Sequence, residues 1–140
     1  MTITYDTALL KVMVLFENMT QTKLKDCFQD VTQNSMTFVV QPGESGRAIG
    51  KNGVIVRHIE QLLNKHVRVV EFSAEKNTFI RNLVQPLHIE QIEEDEEGIV
   101  TLTGKDSKTK GLLIGRNGQN LRALEEKVRR HFPVKEIRVV

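Results

Sequence analysis

Two short stretches of the chain set a cation and an amide between a pair of glycines: Gly50-Lys51-Asn52-Gly53 and Gly115-Arg116-Asn117-Gly118. The chemistry open to such a group is capture of an anion. Lys51 or Arg116 can pair with a phosphate, Asn52 or Asn117 can donate from an amide, and glycine leaves room for another backbone to approach. Beyond each second glycine, apolar residues fall at i, i+3 and i+7: Val56, Ile59 and Leu63, then Leu121, Leu124 and Val128. That is a helical stripe. A helix beginning there turns free N–H groups and a partial positive charge toward the same loop.

A lone Gly-x-x-Gly is mostly a tight connection between two helices. Here it occurs twice, at an offset of 115 − 50 = 65 residues, flanked by Ile49 and Ile114. Gly46/Gly111, Arg57/Arg122, Glu60/Glu125 and His66/His131 keep the same offset, as do the apolar pairs Val56/Leu121, Ile59/Leu124 and Leu63/Val128. Two copies make a tandem duplication and not a solenoid. Both loop tips keep a basic residue followed by Asn, where a turn alone tolerates many polar residues.

Other chemistries fit less well. A nucleotide-hydrolysing phosphate loop has four residues between its glycines and a Ser or Thr after the lysine. Gly46 to Gly50 encloses three residues, and Asn52 follows Lys51. His58, His66, His88, His131 and Cys27 show no metal-ligand spacing. His66 and His131 are expected in the last turns of their helices, satisfying free carbonyls. Arg57/Glu60 and Arg122/Glu125 are expected as i, i+3 surface ion pairs, with a phosphate contact by either arginine equally open. No cofactor, metal, small-molecule substrate or catalytic activity is expected.

The elements that position the loops follow one order in each half. Asp6–Met19 reads as a helix, apolar on more than one side and expected to be deeply buried. Lys25–Thr32 and Met36–Gln41 read as strands about the turn Gln33-Asn34-Ser35. Glu44–Ile49 is a short helix before the first loop, Val54–His66 the helix after it, and Val67–Phe72 a strand. In the second half Ser73 is expected to cap a helix Ala74–Val84. Strands Leu87–Ile92 and Ile99–Thr103, helices Ser107–Ile114 and Gln119–His131, and strand Val134–Val140 follow. The expected architecture is α+β, two units of α-β-β-α-α-β, residues 1–73 and 74–140. Units near 70 residues bury only about 60% of their unfolded surface, so they are expected to pack against each other.

Ile-Gly-x-x-Gly-x-x-Val/Leu-x-x-Ile/Leu, at Ile49–Ile59 and Ile114–Leu124, resembles the KH-domain signature. The element order resembles the type II KH module. Two such modules filling a short chain are similar to the archaeal NusA-type transcription factors. The resemblance implies that single-stranded RNA is clamped by each loop, about four nucleotides at a time. Ile49, Gly50, Lys51, Asn52, Gly53, Val56 and Arg57 would contact it in the first copy. Ile114, Gly115, Arg116, Asn117, Gly118, Leu121 and Arg122 would do so in the second, with Ile49, Val56, Ile114 and Leu121 flooring an aliphatic groove. The resemblance further implies a role in transcription elongation or termination on nascent RNA. Neither the polymerase-binding domain nor the S1 domain of the bacterial pattern lies within these residues, so direct polymerase contact is not implied. A ribosome-associated or ribosome-assembly factor, and a KH-fold scaffold that binds only protein, are the alternatives.

Composition bounds these readings. The chain is 39% hydrophobic and 27% charged, as in a soluble globular protein. It holds no run of about 18 apolar residues, no basic segment leading into an apolar one at its start, and a single cysteine, Cys27. A cytoplasmic location without membrane contact is expected. The net charge of +2 conceals an uneven distribution. Glu93–Glu97 is five acidic residues in a row; removing them leaves 13 acidic against 20 basic residues, a balance of +7. The run is expected to be a solvated hairpin tip. With no Trp, one Tyr and six Phe, an aromatic stacking platform is not expected.

Overall fold

The computed structural model describes residues 5–30 and 33–140. The chain divides into two compact units, Met1–Ser73 and Ala74–Val140. In the first, helix α1 (Thr7–Thr20) leads to strands β1 (Leu24–Asp30) and β2 (Ser35–Val40). The short helix α2 (Ser45–Ile49), a 3-10 turn at Lys51–Gly53, helix α3 (Val54–Leu63) and strand β3 (His66–Glu71) complete it. The sheet order is β1-β2-β3, with β1 antiparallel and β3 parallel to the central β2. Phe38 of β2 lies opposite Cys27 on one side and Val69 on the other.

Local chemistry accounts for the ends of α1. The carboxylate of Asp6 accepts from the N–H of Leu9 at 2.7 Å, an N-cap, and Gln21 closes the helix in the left-handed region with its N–H on the Glu17 carbonyl. The burial expected for α1 is not what the structure shows. Only Phe16 and Thr20 are buried, and Leu10 and Val14 are 46% and 54% exposed. One face of α1 meets the core, where Phe16 stacks on Phe38 with centroids 4.1 Å apart. Ala48 of α2, Ile59 of α3 and Val67 of β3 join that cluster. The expected strand end at Val31–Thr32 lies outside the described residues.

The second unit repeats the order: α4 (Lys76–Val84), β4 (Ile89–Glu94), β5 (Ile99–Gly104), α5 (Ser107–Ile114), a 3-10 turn at Arg116–Gly118, α6 (Gln119–Arg129) and β6 (Glu136–Val139). Its sheet is β4-β5-β6 with the same directions. Even the irregularity repeats: pairing slips at Leu24/Asp26 in β1 and at Ile89/Gln91 in β4. The connection from helix to last strand differs, two residues after α3 and six after α6. Ser73 is not the cap of α4, which begins two residues beyond the expected start, with Glu75 at the N-cap and no side chain bonded there.

An acidic side chain, Glu71, ties α2, the helix before the first loop, to β3. Ser45 donates to it from both its hydroxyl (2.7 Å) and its N–H. The hydroxyl bond, chiefly, holds the Glu71 carboxyl below its ordinary value. A depressed carboxyl stabilises the fold above its unfolded pKa, and that contribution is lost as pH falls through the folded one. Ser45→Ala is therefore expected to lower stability at neutral pH, with the difference from the parent vanishing in acid below the ordinary carboxylate range. Melts across pH check this, and a deficit that persists at low pH would refute it.

The acidic run is not only a solvated tip. Glu93 and Glu94 belong to β4, and Glu94 pairs with Lys76 of α4. Asp95 organises the turn: its carboxylate accepts the N–H groups of Glu97 (2.8 Å) and Ile99 (3.1 Å). Asp95→Ala should cost about 1 kcal/mol, whereas Glu96→Gln should stay within about 0.5 kcal/mol. Equal melting temperatures for the two variants would show that the turn does not depend on Asp95.

Candidate nucleic-acid interface

The two Gly-x-x-Gly segments fold alike. Gly50 has φ 81 and ψ 170, Asn52 φ 56 and ψ 26, Gly53 φ 72 and ψ 18. Gly115, Asn117 and Gly118 repeat these angles within 6°. In each, the first glycine donates to the carbonyl of Gly46 or Gly111, and the second to the carbonyl of the first, at 3.0 and 3.1 Å in one copy and 2.8 and 3.2 Å in the other. Asn at the third position is thus explained by the backbone. It stands in the left-handed region, which Asn enters more readily than most residues.

The two glycines of each loop meet different surroundings. The close approach is at the first and not the second: a Cβ on Gly50 would lie 2.7 Å from Ile55 Cγ1, and one on Gly115 2.6 Å from Asn120 Cγ. A Cβ on Gly53 would meet nothing within 4 Å. The second glycine serves its positive φ and opens the following helix. Neither α3 nor α6 has a side-chain N-cap or an acidic residue in its first turn. Each therefore turns toward its loop an N-terminus free of competing carboxylates, beside an exposed Lys51-Asn52 or Arg116-Asn117. That combination favours an anion.

The four residues expected to floor the groove differ in exposure. Ile49 is 37% exposed, and Ile114 and Leu121 are half-buried. Val56 packs against the core. Val54 and Leu112, which the helical stripes do not include, are more exposed than any of these, at 55% and 48%.

The paired arginines and histidines part ways. Arg122 donates from Nη2 to the Asn117 carbonyl at 2.8 Å, bracing the second loop. Arg57 has no such partner among the described residues and lines a cleft farther along α3. The expected i, i+3 ion pairs do not form. Glu60 instead accepts the N–H of Val67 at 3.0 Å, and Glu125 that of Ile137 at 2.8 Å, each tying its helix to the strand that follows. Neither histidine stands in a helix. His66 opens β3, α3 having closed with Asn64 in the left-handed region. His131 follows α6, its ring edge-on to Phe79 with centroids 5.7 Å apart.

Comparison with known proteins gives this architecture a family. The KH domain model matches residues 13–96, more than half the chain, from within α1 to the β4–β5 turn. The probable transcription termination protein NusA of Methanococcus vannielii is 30% identical over 128 residues, 90% of this chain and 73% of that protein. The chain belongs to the archaeal NusA family. The protein of the same name from Halococcus morrhuae is 28% identical over 138 residues, 98% of this chain and 98% of that protein. The crystal structure of APE1850 matches 94% of this NusA-family chain and 96% of its own, with TM-score 0.75 and 28% identity.

Proposed function

We propose that the chain is a non-catalytic single-stranded RNA-binding protein, two type II KH modules in tandem, acting on nascent RNA in transcription termination or antitermination. The observation that carries this reading is the doubled loop: two segments of nearly identical backbone, each with an exposed cation before an uncapped helix. Lys51 and Arg116 pair with phosphates, and the amides of Asn52 and Asn117 donate to the strand between them. The glycines let the RNA backbone lie close. The role in transcription follows from the relatives, which are named as probable transcription termination proteins. RNA is the partner, in the cytoplasm, within the transcription elongation complex.

Each module holds about four nucleotides, and four residues, 72–75, connect β3 of the first unit to α4 of the second. A second loop on the same RNA binds at high effective concentration. An RNA of about eight nucleotides or more is therefore expected to bind at least tenfold more tightly than one of about four. Titration of fluorescent oligonucleotides of graded length tests this. Equal affinities at all lengths would refute cooperation between the loops, and no binding of any single-stranded RNA would refute the function.

A further inference from the structure

The structure holds a cleft that the loops do not use. It is open, about 450 Å³ in volume, and lies between the surface of α3, the start of β3 and the β1–β2 turn. Arg57, Gln61, Asn64, Lys65, His66 and Asn34 line it. Its one carboxylate, Glu60, accepts the Val67 N–H through Oε2. Two contacts build the wall by the turn: Lys65 Nζ donates to Asn34 Oδ1 at 3.2 Å, and Asn34 Nδ2 to the Asn64 carbonyl at 3.1 Å. None of the lining residues is of an apolar type, so a hydrophobic peptide segment finds only the stems of polar side chains there. Guanidinium, ammonium and amides suit a ligand that carries both an anion and a hydrogen-bonding edge.

The second unit shows what the cleft requires. Asn34 and Gly98 are equivalent, because each carbonyl accepts from the backbone at the start of the parallel strand, His66 in one unit and Lys135 in the other. Gly98 offers no side-chain amide, and Glu126 stands where the first unit has Gln61. The cations are placed differently as well: among the described residues, Lys65 of the first unit meets only the neutral Asn34 amide. Lys135 faces Glu97 at 3.9 Å, Arg122 is turned to its own loop, and Arg129 donates to the Val134 carbonyl. The exposed acidic residues Glu96 and Glu97 stand at that turn.

We infer that the first unit's cleft is a nucleotide subsite that continues its loop, taking a phosphate on Arg57 and Lys65 and a base edge on Gln61, with Asn34 holding Lys65 and the wall in place, and that the second unit lacks it. The cleft lies on the helix that the first loop begins: Val54 to Gln61 is about 10 Å along the axis at 1.5 Å per residue. A strand held at Lys51 and running along α3 reaches it. The two modules then differ in the length of RNA they hold. This inference rests on the RNA-binding reading above.

The test uses the full chain with its second loop disabled by Arg116→Asp and Asn117→Asp, so that only the first loop binds. Mixed-sequence RNAs of four and six nucleotides are titrated against this parent. One further charge-assisted contact predicts about tenfold tighter binding of the longer RNA. Gln61→Glu with Lys65→Glu, or Asn34→Gly with Gln61→Glu, which imposes the second unit's residues, should each bring that ratio close to one. Binding of the shorter RNA should change far less, and melting curves should match the parent's. A ratio near one in the parent overturns the subsite while leaving the loop intact, as does a tenfold ratio surviving in both variants. A parent that binds neither RNA overturns the RNA-binding reading and the subsite with it.

Discussion

Replacing Lys51, Asn52, Arg116 and Asn117 together by aspartate should leave a folded protein that has lost single-stranded RNA binding by a factor of a hundred or more. Both parts of this expectation come from the loop geometry. All four side chains are exposed, and Arg122 braces the second loop through the Asn117 carbonyl, not its side chain. Aspartate, like asparagine, tolerates the left-handed conformation at positions 52 and 117. A carboxylate near the start of α3 or α6 also favours the helix dipole. Binding is another matter. Each loop loses a charge-assisted contact worth about 1.5–3 kcal/mol, and two such losses already exceed a hundredfold. Two new carboxylates per loop then occupy the place of the phosphate. Disabling one loop should give an intermediate loss. The parent's affinity should fall with salt by about 0.7 log units per phosphate contact per log unit of salt. A folded four-fold variant that binds like the parent would mean that the loops are turns and nothing more.

Much of this fold was legible because its signals are local. Apolar spacing after each loop, glycines at positive φ and turn residues between strands all act within a few positions. They yield the order α-β-β-α-α-β twice over. What escaped depends on contacts between elements. Glu60 with Arg57 looks like an i, i+3 ion pair, yet Glu60 reaches a strand N–H seven residues on, and Glu125 one twelve residues on. Sequence spacing along a helix says nothing of a strand beside it. The apolar count of α1 suggested burial on several sides, but a helix on one face of a small sheet can cover only one, so Leu10 and Val14 remain exposed. His66 reads as helical only if a stop signal is passed over: Asn64, directly after the last stripe residue Leu63, is of the type that enters the left-handed region and ends α3 there. The cleft beside α3 was invisible because Asn34 and Lys65 meet across 31 positions. Asp95 was hidden by its neighbours, one carboxylate among five with only one placed to hold the turn.

The loop glycines, alike in sequence, should respond very differently to alanine. At Gly53 the left-handed φ of 72 costs a non-glycine residue about 1 kcal/mol, and a Cβ there meets nothing within 4 Å. At Gly50 the backbone, φ 81 and ψ 170, lies in a region that is nearly glycine's alone, with a cost of about 1–3 kcal/mol. The added Cβ would also stand 2.7 Å from Ile55 Cγ1, and Ile55 cannot simply swing away because it packs against the core. Gly50→Ala should therefore cost about 3 kcal/mol or more, the larger part as strain and overlap. The second unit repeats the contrast by another route. Asn120 is held under Gly115 by its own bond to the Leu112 carbonyl at 2.9 Å, so a Cβ at Gly115 either overlaps it or breaks that bond. Over Gly118 stands only the end of the Arg122 side chain, 3.3 Å away and bonded to the Asn117 carbonyl. That flexible tip need give only a few tenths of an ångström, against the overlap at 2.6 Å under Gly115. Denaturant titration of the four single variants reads the difference as a fall in midpoint at unchanged slope. Equal losses at Gly50 and Gly53, or at Gly115 and Gly118, would show that φ alone sets the requirement and that the close approach beneath the first glycine plays no part.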